Sequence, residues 1–144
     1  MKRIANLDDL LDSADVNSSV IELDNFIGEV CEYGVEMDKL TNQQKVFYLN
    51  QTLEREVNNG GFDLYFTNSG GDNAHETILS LKAIGANKTA EILQKAIDLV
   101  LLLIEKAEEV PGDVWDELDE EFFQYQDDLN TLNIEYVKNN RDYF

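Results

Sequence analysis

Asp113, Asp116, Glu117, Glu120 and Glu121 fall at i, i+3, i+4, i+7 and i+8, the spacing that lines up one face of a helix. No lysine or arginine is placed among them to neutralise the charge. Asp127 and Asp128 extend the face if the helix persists, and Glu22, Glu29 and Glu36 repeat every seven residues in an earlier segment. Carboxylates are too plentiful for a catalytic pair to be picked out by spacing. Asp113 to Asp119 also lacks the central glycine and alternating ligands of a calcium loop. Neither a metal nor a cofactor is expected. What remains is charge itself. The ordinary reading of such a face is a solvated surface, but like charges three or four residues apart repel by a few tenths of a kcal/mol per pair. A row of closely spaced negative charges on a rigid rod resembles a nucleic-acid backbone, and a basic DNA-binding surface could be captured by it.

The stretch EVNNGGFDLYFTNSGGDNAHE, Glu56 to Glu76, is a second candidate, with four of the eight glycines and four asparagines. Phosphate binding would want glycine amides at a helix start behind a strand, with a closing Gly-Lys-Ser/Thr, and neither is present. Two helix boundaries in quick succession, with asparagines capping backbone groups, is the favoured reading. His75-Glu76 has no second histidine four residues on, so a zinc helix is excluded, and Cys31 on an apolar-flanked face is expected in the core.

The elements that would position these residues are helical. Val20, Leu23, Ile27, Val30 and Gly34 give an amphipathic helix over about Ser19 to Met37. Thr41-Asn42-Gln43-Gln44 is a capping-box pattern opening a second helix, which Asn58-Asn59-Gly60-Gly61 should stop. A short turn then carries Phe62, Tyr65 and Phe66 inward, and Asn68-Ser69-Gly70-Gly71 breaks it. Asn73 to Glu76 is another capping-box pattern, for a helix stopped by Gly85. A cap at Asn87 opens a helix over Lys88 to about Val110, whose apolar centre, Leu99 to Ile104, predicts a central buried element. Asp113 to about Leu129 is expected as one acidic helix, and Leu132 to Lys138 as a last segment. The fold class is therefore all-α, a single compact domain of about six or seven helices over 18–144, with 1–17 as an acidic arm or short helix.

Whole-chain totals agree with a folded acidic protein. Its 144 residues carry 30 acids and 11 bases, a net charge of −19, with 43% hydrophobic residues. Disordered acidic chains are poorer in apolar residues. The charge is uneven: residues 1–38 hold ten acids and two bases, 39–104 seven and six, and 105–135 twelve and one. Direct binding to nucleic acid is disfavoured, and a basic protein surface is the natural partner. No signal peptide or membrane span is visible, and the lone cysteine suits a reducing compartment, so a cytoplasmic location is expected.

Glu56-Val57-Asn58-Asn59-Gly60-Gly61-Phe62, then Tyr65-Phe66, Asn68-Ser69-Gly70 and Leu81-Lys82-Ala83-Ile84-Gly85-Ala86, resemble the signature of a bacterial family of small acidic helical proteins known for a DNA mimic. The similarity spans about Thr41 to Ile104 and continues loosely to Tyr136. The resemblance implies an all-helical fold and, as in the founding member, a homodimer that occupies the DNA-binding face of a transcription factor. The matching residues carry architecture, whereas mimicry would be carried by surface carboxylates.

Three functions compete at this level. The first is a non-enzymatic binder whose acidic helices occupy a basic DNA-binding protein. The second is an immunity or antitoxin-like inhibitor of a basic nuclease, with the same charge profile. The third is a small-ligand protein using Asn58, Asn59, Asn68 and His75, which requires those side chains to converge on a pocket.

Overall fold

Seven α-helices account for most of the described residues: α1 (Leu7–Asp12), α2 (Val16–Val30), α3 (Asn42–Thr67), α4 (Ala74–Ala83), α5 (Asn87–Lys106), α6 (Asp116–Phe123) and α7 (Leu129–Asn139). The computed structural model describes residues 2–106 and 111–144, and no strand occurs among them. The expected end of α5, at Val110, lies outside the described residues. No helix among them is long and apolar enough to cross a membrane.

α3 is the spine. Thr41 Oγ1 accepts from the Gln44 amide at 3.0 Å while Gln44 Oε1 accepts from the Thr41 amide at 2.9 Å, so the expected capping box forms. The helix then runs past Val57 to Gly60 and Gly61, whose backbone is non-helical, and resumes through Thr67. The glycines therefore break the helix where expected, and a second helical piece carrying Phe62, Tyr65 and Phe66 restarts directly after them, so the two meet at a kink. Phe62 and Tyr65 beyond the kink are fully buried, and the Phe62 ring packs within 5.9–6.5 Å of Tyr65, Phe66, Trp115 and Phe122.

Two apolar clusters divide the core along α3. One joins Leu53, Val57 and the aromatic group to α4, the first half of α5, Trp115 and Leu129. The other joins Phe47 and Tyr48 to α2, Leu11, Val137 and Phe144. Asn50, between Phe47 and Leu53 on α3, is buried and donates to the Ser80 carbonyl and to Asn133 Oδ1, both at 3.2 Å. Cys31 is buried in the second cluster, as expected.

Four local expectations are corrected. α2 ends at Val30, not Met37, because Glu32, Tyr33 and Gly34 turn into the left-handed region. Asn73 does not cap α4: a 3₁₀ turn over Ser69–Asn73 runs straight into the helix, the Asn73 side chain makes no capping bond, and the Ala74 amide donates to Gly71. At its other end α4 stops as expected, with Gly85 and Ala86 donating to Lys82 and Leu81. α5 is buried only through Ile97. Leu101, Leu102 and Ile104, expected at the centre of the core, are 55%, 44% and 69% exposed. Finally, Asp113 to Leu129 is not one helix, with consequences for the acidic face.

Candidate functional site

α6 is eight residues long and opens from a turn over Asp113 to Trp115. Trp115 and Phe122 pin one side of it to the aromatic cluster, which leaves Asp116, Glu117 and Glu120 exposed on the other, together with Asp113 in the leading turn. Asp116, Glu117 and Asp119 occupy the first helical turn, where the partial positive charge of free amides favours carboxylates and offsets part of their mutual repulsion. Among the described residues no ion pair takes up Asp113, Asp116, Glu117 or Glu120. Glu121 faces inward to Lys95 at 3.3 Å.

The helix stops where Tyr125 adopts φ 46. Its ring packs on Phe122 at 5.6 Å, and its hydroxyl accepts from Asn58 Nδ2 at 2.8 Å. That contact with α3 turns the chain. Beyond it, Asp127 and Asp128 leave the expected face for capping work. Asp127 Oδ2 accepts from the Thr89 amide at 2.7 Å and the Thr89 hydroxyl at 3.0 Å, at the start of α5. Asp128 caps α7 through the Thr131 amide and hydroxyl.

The α2 carboxylates do not join this group. Glu22 and Glu29 are exposed on a helix that packs mainly on α1, α3 and α7, whereas α6 packs on α3 and α5. Glu36 lies beyond the end of α2 and pairs with Lys39.

Asp119 is the residue that sequence reasoning missed. Its Oδ1 accepts from the Phe62 amide at 2.8 Å, capping the helix half that restarts after the kink. It occupies the space a side chain on Gly61 would need: a Cβ there would lie 2.3 Å from Asp119 Oδ2. Burial raises its pKa, the Phe62 amide opposes that, and Asp116 and Asp63 add to it. A signal existed, since Asp119 is flanked at i−4 and i+3 by Trp115 and Phe122 and so points off the acidic face. Gly60, Asp63, Asp116 and Asp119 border a hollow of about 360 Å³ beside the kink. Among the described residues no group of three or more His, Cys, Asp or Glu side chains is arranged to hold a metal.

The asparagine corner makes contacts within the chain. Asn58 Nδ2 donates to the Glu54 carbonyl as well as to Tyr125, and Asn68 Nδ2 donates to Glu56 at 3.4 Å. Asn59 and His75 are exposed. The expected helix-capping role of Asn58 is replaced by this bridge from α3 to Tyr125. Alongside, Asp24 pairs with Arg55 at 2.5 Å. Burial raises the pKa of Asp24, Glu54 and Glu56, with Asp128 and Asp24 adding to the effect at Glu54.

No curated protein and no solved structure matches the chain. A protein family does: the profile described as "DMP19-like protein" matches residues 38–140.

Proposed function

The chain belongs to the DMP19-like protein family, and from that premise we propose that it is an acidic binding protein, a DNA mimic that occupies the basic surface of a DNA-binding protein. The observation that carries the reading is the unneutralised group Asp116, Glu117 and Glu120, on a short helix pinned by Trp115, Phe122 and the Asp119 clasp, with Asp113 in the turn before it. The helix backbone is already held in place, so binding orders only the side chains, and a basic surface that recognises phosphates is complementary to their charge. Glu22 and Glu29 form a separate acidic area and contribute long-range attraction. Asp127 and Asp128 contribute chiefly by fixing the ends of α5 and α7.

The family's homodimer has a candidate surface here as well. Leu101, Leu102 and Ile104 are exposed at the end of α5, a helix with three acids and three bases. Two copies of a chain at −19 meet most easily where charge is balanced and apolar area is free.

The test is capture from lysate on the immobilised protein, followed by challenge with salt and with duplex DNA. The proposal expects a DNA-binding protein that both release, and a loss of its binding by about tenfold (about 1.4 kcal/mol) in the Glu117→Lys, Glu120→Lys variant. Capture of a basic nuclease that salt releases and duplex does not would support an immunity role instead.

A further inference from the structure

Charge alone attracts any basic protein, so discrimination among them requires contacts that are not electrostatic. One surface offers such contacts in an acidic setting. After α2 the chain passes through three successive left-handed residues, Glu32 (φ 48), Tyr33 (φ 54) and Gly34 (φ 100). Two of them carry side chains, which disfavour that region. The turn is held by the Tyr33 amide donating to Gly28 at 2.7 Å and the Glu36 amide donating to Cys31 at 2.8 Å. Its effect is to present Tyr33 and Val35, 71% and 81% exposed, on either side of Gly34.

Tyr33 is nevertheless fixed. Its ring lies against α2 at Gly28, where a Cβ would come within 3.2 Å of it. Between this turn and α3 runs a groove of about 400 Å³. Tyr33, Val35 and Met37 line it from the turn, and Tyr48 and Leu49 add apolar surface from α3. Its polar lining is Thr52, Arg55 and Glu56 of α3 and Asp72 of the 3₁₀ turn before α4. Arg55 is engaged by Asp24 and by the Tyr48 ring, 5.7 Å from its guanidinium carbon. Glu56 keeps one buried oxygen without a hydrogen-bond partner. Glu56 and Asp72 are the acids on the groove itself, Glu32, Glu36 and Asp38 lie along the turn beside Lys39, which pairs with Glu36, and Glu29 and Glu32 face an adjoining hollow with Lys2 and Lys39.

We propose that this groove docks a basic segment of a partner protein through an aliphatic or aromatic side chain seated against Tyr33 and Val35, with the segment's cations on the surrounding carboxylates and Glu56. The occupant follows from the combination: the apolar wall wants an apolar anchor, and the acidic collar wants positive charge around it. The inference rests on the reading of the protein as an acidic binder, and it adds the source of selectivity.

Two fluorescein-labelled lysine-rich peptides test it, one with a central Leu-Trp pair and one with Gly-Gly in its place, titrated by anisotropy at low and moderate salt. The Leu-Trp peptide is expected to bind about tenfold more tightly, an anchor contribution well within the range of interface aromatics. Tyr33→Ala and Val35→Ser should each reduce that preference while leaving the Gly-Gly peptide's affinity and the circular dichroism unchanged, since both residues are exposed. Equal affinity of the two peptides, or a preference that survives both substitutions, would overturn the proposal. Failure of the α6 reading has a different signature: Gly-Gly peptide binding indifferent to Glu117→Lys and Glu120→Lys, with the Leu-Trp preference still dependent on Tyr33.

Discussion

An alanine at position 61 would place its methyl carbon 2.3 Å from Asp119 Oδ2 and sit at φ 68. With ψ −170 this backbone lies in a region essentially reserved for glycine and costs about 1–3 kcal/mol for any other residue, and displacing Asp119 removes a capping bond worth about 1 kcal/mol. Gly61→Ala should therefore lower unfolding free energy by about 2–4 kcal/mol in urea titrations, and Asp119→Ala by about 1 kcal/mol. The double variant should lose less than the sum, because the second change removes the atoms the first collides with. At Glu54 the question is one of protonation. Burial raises its folded-state pKa above the ordinary 4.5, so the folded protein holds that proton more readily than the unfolded chain. Its contribution to stability then rises as pH falls from neutrality towards 4.5, and the contributions of Asp24, Glu56 and Asp119 have the same sign, opposite to that of Asp15. Glu54→Gln should raise the melting temperature at neutral pH and flatten its rise on mild acidification, as read by thermal melts across that window.

Among the elements, what could be read in the sequence is what is decided within four or five residues. The Thr41–Gln44 box, the stop at Gly85 and the inward turn of Phe62 and Tyr65 are local, and each formed. Partners distant along the chain could not be read. Asp127 serves a backbone amide 38 residues away and Asp119 one 57 residues away, so two carboxylates in an acidic run turned out to hold other helices in place. Tyr125 ends α6 without a glycine or proline to announce it, because its hydroxyl is held from α3. The end of α5 follows the same logic: periodicity marks Leu101, Leu102 and Ile104 as apolar, while burial depends on which helices cover them. Leu101→Asp with Ile104→Asp should change unfolding free energy by no more than about 0.5 kcal/mol, as exposed positions do. It should also abolish self-association in sedimentation, if that surface joins two copies.

Over the whole molecule the charge is arranged around a nearly neutral middle. α3 to α5 supply most of one apolar cluster and the charge-balanced helix, while the flanks complete the other cluster and carry most of the carboxylates, and those on α6 are clasped to the middle by Asp119. Net repulsion from −19 opposes compaction, and the two apolar clusters on either side of Asn50 and Asn133 offset it. The central claim is that this arrangement competes with DNA for a basic protein. The most direct measurement is duplex competition against the captured partner, comparing the natural chain with Glu117→Lys, Glu120→Lys at matched salt. Duplex DNA should displace the natural chain, and the charge-reversed chain should bind about tenfold more weakly with a shallower salt dependence. A partner that stays bound in excess duplex, or that binds both chains equally, would contradict it.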